Sequence, residues 1–226
     1  VTELIALIRS PRRGVPMILA NGRLSVAVGL VLLATAVAAV SAARFAADVP
    51  VASVLYGDDR SPAIATLIDT LGRDRAAIIG YLIEQAWTAV IAVTALSPLL
   101  VWILGATAVH AAARLDGVRR PLRPMFVLLG YATAVTRIPA DGAAALLGSG
   151  KTAGAQIAQL IGTACLVWLA YITWRAIEAH YALVPRRAFI VLVFAIVVFY
   201  VVPLVLIVAS VVVLVIAAVV LEYVPR

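Results

Sequence analysis

The sequence is poor in the residues that let a chain face water. Of 226 residues only 13% are charged, 65% are hydrophobic, and the mean hydropathy is +1.11. A soluble domain of this length carries about 25% charged and about 45–50% apolar residues. So little polar material cannot cover a globular surface, so a soluble globular domain and a disordered tail are both excluded. Cysteine is nearly missing: Cys165 stands alone, which rules out an intramolecular disulfide and a disulfide scaffold. It lies inside an apolar run and reads as an inert packing residue. Among 18 basic residues Lys151 is the single lysine, and Asn21 is the single asparagine. Such an Arg-, Ala- and Val-rich bias suggests a GC-rich bacterial genome.

What the chain does have is long apolar runs. A helix needs about 20 apolar residues to cross about 30 Å of hydrocarbon. Only helices and closed barrels span a membrane, and these runs are continuously apolar rather than alternating, so they read as helices. The expected fold is all-α: a polytopic integral membrane protein built as a bundle of five transmembrane helices. The spans fall at roughly 24–46, 86–113, 125–148, 156–180 and 188–221, after a cytoplasmic N-terminal segment at 1–23. Pro98 sits near the middle of the second span, and Arg137, Pro139 and Asp141 interrupt the third. The last run is too long for one ordinary span and short for two. It reads as one long helix kinked at Pro203, because Phe199-Tyr200-Val201-Val202-Pro203 supplies no polar turn.

The net charge of +7 resolves into a topology. Basic residues in short loops collect on the cytoplasmic side of a membrane. Arg9, Arg12, Arg13 and Arg23 precede the first span. Arg114, Arg119, Arg120 and Arg123 lie between the second and third, and Arg175, Arg186 and Arg187 between the fourth and fifth. Against Glu3, Asp116 and Glu178 this side carries +8, and the opposite side carries −1. The pattern places the N-terminus in the cytoplasm and the C-terminus outside, and points to membrane surfaces rather than to nucleic acid. The loop at about 47–85 then lies outside, with the stretches Ala63–Leu71 and Ala76–Ile83 forming a helix along the outer interface.

Several motifs lie at the cytoplasmic ends of the spans. Ser10-Pro11-Arg12-Arg13 precedes the first. Gly105 and His110 end the second, followed by Ala113-Arg114-Leu115-Asp116-Gly117. Leu129-Gly130-Tyr131-Ala132 opens the third, Glu178-Ala179-His180 closes the fourth, and Arg187-Ala188 begins the fifth. Over nearly the whole chain this order resembles the bacterial branch of the Ypt-interacting protein (YIP) membrane family. The resemblance implies a five-helix integral membrane protein. Eukaryotic members are implicated in vesicle traffic and in binding Rab-class GTPases, a partner not carried over to a chain of bacterial character. Two departures stand out: Pro139 comes seven residues after Ala132, and Asp116 precedes a single Gly117.

Candidate chemistry is sparse. Gly148-Ser149-Gly150-Lys151-Thr152 has Ala145 where a phosphate loop needs glycine, and no strand precedes it, so it reads as a flexible turn. His110, Arg114, Arg175, Glu178 and His180 gather near the cytoplasmic interface. They read as a polar cluster where the second and fourth helices meet, either structural or a candidate partner or headgroup surface. Their spacing does not resemble a dedicated metal site. Arg137 and Asp141, four apart, form a candidate intramembrane polar pair, unless the third span ends near Ile138 and leaves both at the outer interface. Ala34, Ala38 and Ala42 make a small-residue stripe, for packing inside the bundle or for self-association. Trp168, Tyr171 and Trp174 read as an aromatic belt or packing stripe. Leu4–Ile8 with Arg9, Arg12 and Arg13 suits the cytoplasmic leaflet.

No catalytic residue, cofactor site or metal site is expected. The function expected is a non-enzymatic scaffold or accessory partner of another membrane complex, in a bacterial inner membrane. Its partners would be membrane lipids, another integral membrane protein, and a second copy if it self-associates. The alternative is a small transporter or lipid-handling protein with a polar site around Arg137 and Asp141.

Overall fold

The computed structural model describes residues 2–48, 73–148 and 152–201, together with Thr66, Thr70, Leu204 and Val205. The described residues are all helical or connecting. In chain order the helices are α1 (Thr2–Arg9), α2 (Pro11–Asn21), α3 (Leu24–Asp48), α4 (Arg73–Leu115), α5 (Arg123–Leu147) and α6 (Ala153–Tyr181). A seventh helix, α7, covers 185–201. Among the described residues three helical stretches are long and apolar enough to cross a membrane: Leu24–Asp48, Gly80–Leu115 and Ala153–Tyr181.

The hub is α5. It packs against α1, α2, α3, α4 and α6, with its closest contacts to α3 and α6. Its residues 127–134 are all buried. Length alone would let α5 span, but Arg123, Arg137 and Asp141 lower its apolar character, as befits a helix whose neighbours are protein rather than lipid. The opposite pattern holds for α3, whose interior stripe is Ala27, Val31, Ala34, Ala38 and Ala42, while Leu32, Leu33 and Val40 are exposed. The alanine stripe thus faces α5 and α4 within the chain, where small side chains let backbones approach.

A close approach of α3, α4 and α5 occurs at Gly130. A Cβ there would lie 2.7 Å from the Cβ of Ala27 on α3 and 3.2 Å from Trp102 Nε1 on α4. The same Trp102 indole N–H donates to the carbonyl of Phe126 at 2.7 Å, and its ring meets Phe126 edge-on at 5.6 Å. Three helices therefore meet at one glycine.

The N-terminal segment forms two helices rather than an extended tail. Ser10 breaks the chain between them and Pro11 opens α2 at a position where no amide hydrogen is needed. Gly14 lets α2 press on the backbone of Leu7, where any Cβ would sit 2.5 Å from the Leu7 Cα. Leu7, Val15 and Ile18 join the core, so this hairpin is part of the fold and contacts α5 and α6.

Three sequence expectations change. The expected outer loop at 47–85 is shorter at its C-terminal side, because α4 begins at Arg73 and runs without a break through Ala76–Ile83. Arg73, Asp74, Arg75, Glu84 and Gln85 are polar but include strong helix formers, so they end the apolar run without ending the helix. Most of Ala63–Leu71 lies outside the described residues. The run at 125–148 is not broken as a helix: α5 passes through Pro139 to Leu147. The last helix starts at 185, ahead of the apolar run. Pro203 lies outside the described residues, as do Ser149, Gly150 and Lys151. On either side of those three residues, Gly148 caps α5 with φ +83° and Thr152 Oγ1 accepts from the Ala155 amide at 3.1 Å, starting α6.

Candidate functional site

Of the five residues expected to cluster at the cytoplasmic ends, the two histidines are linked through Tyr181, and Arg175 and Glu178 turn elsewhere. His110 on α4 reaches Tyr181 at the end of α6, with Nδ1 3.1 Å from the tyrosine hydroxyl. His180 turns the other way, its Nε2 donating to the carbonyl of Pro121 in the α4–α5 connection at 2.9 Å. Arg175 and Glu178 pair with each other through Nη1 and Oε2 and face α2 instead of α4. Arg114 is exposed. The reason is helical phase: Arg175 and Glu178 are three apart and share a face, whereas His180 and Tyr181 lie on other faces of the last turn. Moreover α4 and α6 are both packed on α5, so only the long Tyr181 side chain crosses between them. Arg175 and Glu178 therefore stand apart, while His110, Tyr181 and His180 remain linked, the His180 and Tyr181 ring centroids lying 4.6 Å apart.

A further contact sits among them. Arg187 at the start of α7 binds Asp116 after α4, Nη2 to Oδ1 at 3.0 Å. Sequence reasoning placed both residues at the cytoplasmic face but did not pair them, since their separation of 71 positions carries no periodic signal. Beside Arg175 and Glu178, a small cavity of about 150 Å³ opens between α2 and α6, lined also by Pro11, Arg12, Val15 and Pro16.

The Arg137–Asp141 pair is formed, Nη2 to Oδ1 at 3.1 Å along one face of α5. Asp141 is 9% exposed. Arg137 Nη2 also lies 2.5 Å from Ser97 Oγ on α4, one residue before Pro98. Ser97 was the residue missed by sequence reasoning; a lone hydroxyl next to a proline in an apolar run was the available signal. Arg137 Nε and Asp141 Oδ2 are buried without a hydrogen-bond partner among the described residues. The pair thus ties α5 to α4 while leaving polar capacity unused. At the same end Arg44 of α3 donates to the last carbonyls of α5, at Ala145 and at Leu146 (3.4 Å), as a cation suits a helix C-terminus.

A cavity of about 470 Å³ is different in kind. It lies between α4, α6 and α7 with Leu129 of α5 on its floor, and no charged side chain lines it. Its Thr173 hydroxyl is already bonded to the carbonyl of Leu169 at 2.8 Å. Gly105 faces open space, with no atom within 4 Å of where a Cβ would stand. On the other side of α6, Trp168, Tyr171 and Trp174 stack in sequence with centroids 5.5 and 6.0 Å apart, and Trp174 continues to Phe189 of α7 at 6.4 Å. That stripe joins α6 to α7, helped by the Trp174 indole N–H donating to the Pro185 carbonyl at 3.0 Å. No group of three or more His, Cys, Asp or Glu side chains suited to a metal occurs among the described residues.

The Yip1 domain family model matches residues 5–206, from α1 to beyond the described part of α7. No curated protein and no solved structure gives a significant match.

Proposed function

The chain belongs to the Yip1 domain family, and from that membership we propose that it is a non-enzymatic scaffold or accessory subunit, embedded by five spans in a bacterial inner membrane. The N-terminus lies in the cytoplasm, the C-terminus outside, and the charge split of +8 against −1 supports that orientation.

One observation carries the scaffold reading: polar side chains are spent on joining one segment of the chain to another, and large apolar ones turn outward. His110, His180, Arg187 and Arg137 each join one segment of the chain to another. Outward, α3 presents Leu32, Leu33 and Val40, α4 presents Tyr81, Leu82, Val90 and Val93, and α6 presents Leu160, Leu166 and Val167. Faces of this kind fit lipid and the apolar helices of another membrane protein.

The reading is tested in the membrane with a photo-crosslinking side chain at Leu33 or Val40, and at buried Ala38 as control. A discrete adduct with one other membrane protein, absent at Ala38, is the expected result. Adducts with lipid alone at both exposed positions would contradict the partner reading.

A transporter or lipid-handling role is the second reading. It is favoured by the unpartnered Arg137 Nε and Asp141 Oδ2 and by the apolar cavity beneath α4, α6 and α7. Ion flux or lipid scrambling in proteoliposomes that is lost in both Arg137→Ala and Asp141→Ala would support it. Transport indifferent to both removes its motive.

A further inference from the structure

The small cavity between α2 and α6 is unlike the rest of the surface. Its wall on α2 is Pro11, Arg12, Val15 and Pro16, and its wall on α6 includes Arg175 and Glu178. Pro11 and Val15 are buried and support the floor, while Arg12 is exposed and forms no ion pair or hydrogen bond among the described residues. Arg175 is held in place twice. Glu178 accepts from its Nη1, and its guanidinium carbon lies 5.8 Å from the ring centre of Trp174. Its side chain is still 21% exposed. The site is thus a pre-positioned guanidinium opposite a free one, on two different helices.

The charges define the ligand. Arg12 and Arg175 against Glu178 leave one net positive charge, the complement of one phosphodiester. Guanidinium groups bind phosphate oxygens through paired N–H donors, and holding one in place lowers the cost of doing so. A volume of about 150 Å³ admits a phosphate group, whereas a helix is about 10–12 Å across and does not fit. The depth also agrees. Arg175 lies less than two turns from the end of α6 at Tyr181, beside the Trp174 ring, at a level where aromatic and basic side chains meet headgroups.

We propose that this α2–α6 cavity binds the phosphate of an anionic phospholipid headgroup, with Arg12 and Arg175 as its ligands and Glu178 as the residue that orients Arg175. The proposal rests on the membrane reading above, in which this face is cytoplasmic. It adds a second task for the N-terminal hairpin: α2 completes the site that α6 begins, so a bound lipid would fasten the hairpin to the bundle. Exposed Arg9 and Arg13, on either side of the Ser10-Pro11-Arg12 turn, increase the local positive field without lining the cavity.

The test uses the full chain purified in mild detergent, where binding is independent of which side of a membrane the site occupies. Its failure would therefore leave the topology untouched. Retention of dioctanoyl phosphatidylglycerol is measured by native mass spectrometry beside dioctanoyl phosphatidylcholine and inorganic phosphate. The protein should retain the anionic lipid in preference to the zwitterionic one. Arg12→Gln should weaken that retention about tenfold, the effect of losing one charge-assisted contact. Arg175→Lys should weaken it as well, since it keeps the charge but loses the planar fork. Arg119→Gln, an exposed loop arginine outside the cavity, should leave it unchanged. Arg12 is exposed and unpaired, so the thermal midpoint of Arg12→Gln should equal that of the parent, which excludes misfolding. The proposal is overturned by equal retention of the two lipids, or by equal effects of Arg12→Gln and Arg119→Gln. Inorganic phosphate that displaces the lipid completely at equal concentration would show a free-anion site and overturn the headgroup assignment.

Discussion

At the scale of single residues, Arg137 and Asp141 separate the two functional readings most sharply. A buried ion pair that loses one partner leaves an uncompensated charge, while replacing both by apolar residues of similar volume is often neutral or stabilising. If the pair serves only to tie α5 to α4 through Ser97, Arg137→Met alone should destabilise by about 3–5 kcal/mol. The double variant Arg137→Met/Asp141→Leu should recover most of that in thermal denaturation and retain partner association. Recovery of stability without recovery of function would mean that the pair acts beyond packing. Gly130 gives a second residue-scale prediction. Its neighbours are 2.7 Å from the missing Cβ and belong to helix cores, so Gly130→Ala must push α3 from α5. Overpacking of this size costs roughly 1–3 kcal/mol, readable as a lowered midpoint in a detergent melt. A midpoint unchanged within error would mean that α3 and α5 are less tightly joined than the geometry requires.

At the scale of elements, the apolar runs and the small-residue stripe were legible because they are periodic. Ala34, Ala38 and Ala42 fall four apart, and all three are buried against the interior. Ala38→Leu should therefore lower stability by about 1–3 kcal/mol, while Val40→Leu on the exposed face should leave the melt unchanged. Similar effects from both would place the stripe elsewhere than in the interior. Element ends were less legible. Polar residues at 73–85 suggested that Ala76–Ile83 belongs to a separate interfacial helix, because hydropathy registers the end of an apolar run, whereas a helix ends only where capping or backbone strain ends it. Pro139 suggested an interruption for the converse reason: a proline removes one hydrogen bond, yet α5 continues through it to Leu147 with Pro139 itself exposed. Long-range polar contacts such as Arg187–Asp116 and Arg137–Ser97 were not legible at all, because no spacing rule links positions on different helices.

At the scale of the whole molecule, composition pointed to a membrane protein, and the long apolar helices and the Yip1 domain agree with it. The fold adds an inner helix, α5, wrapped by others and carrying the polar residues that a lipid-facing helix would exclude. That arrangement explains why the least apolar of the long helices is also the most buried. It also accounts for the different partners of the helix-end residues: Arg175 and Glu178 face α2, and His180 reaches the α4–α5 connection.

The measurement that tests the orientation and the membrane reading together is labelling of engineered cysteines in sealed cells. On a Cys165→Ala background, a membrane-impermeant maleimide is applied to Arg12→Cys, Arg119→Cys, Arg186→Cys and Asp59→Cys. Asp59→Cys should label in intact cells, and the three arginine positions should label only after permeabilisation. Labelling of any of those three in intact cells, or protection of Asp59→Cys, would contradict a bundle whose basic loops all lie on the cytoplasmic side.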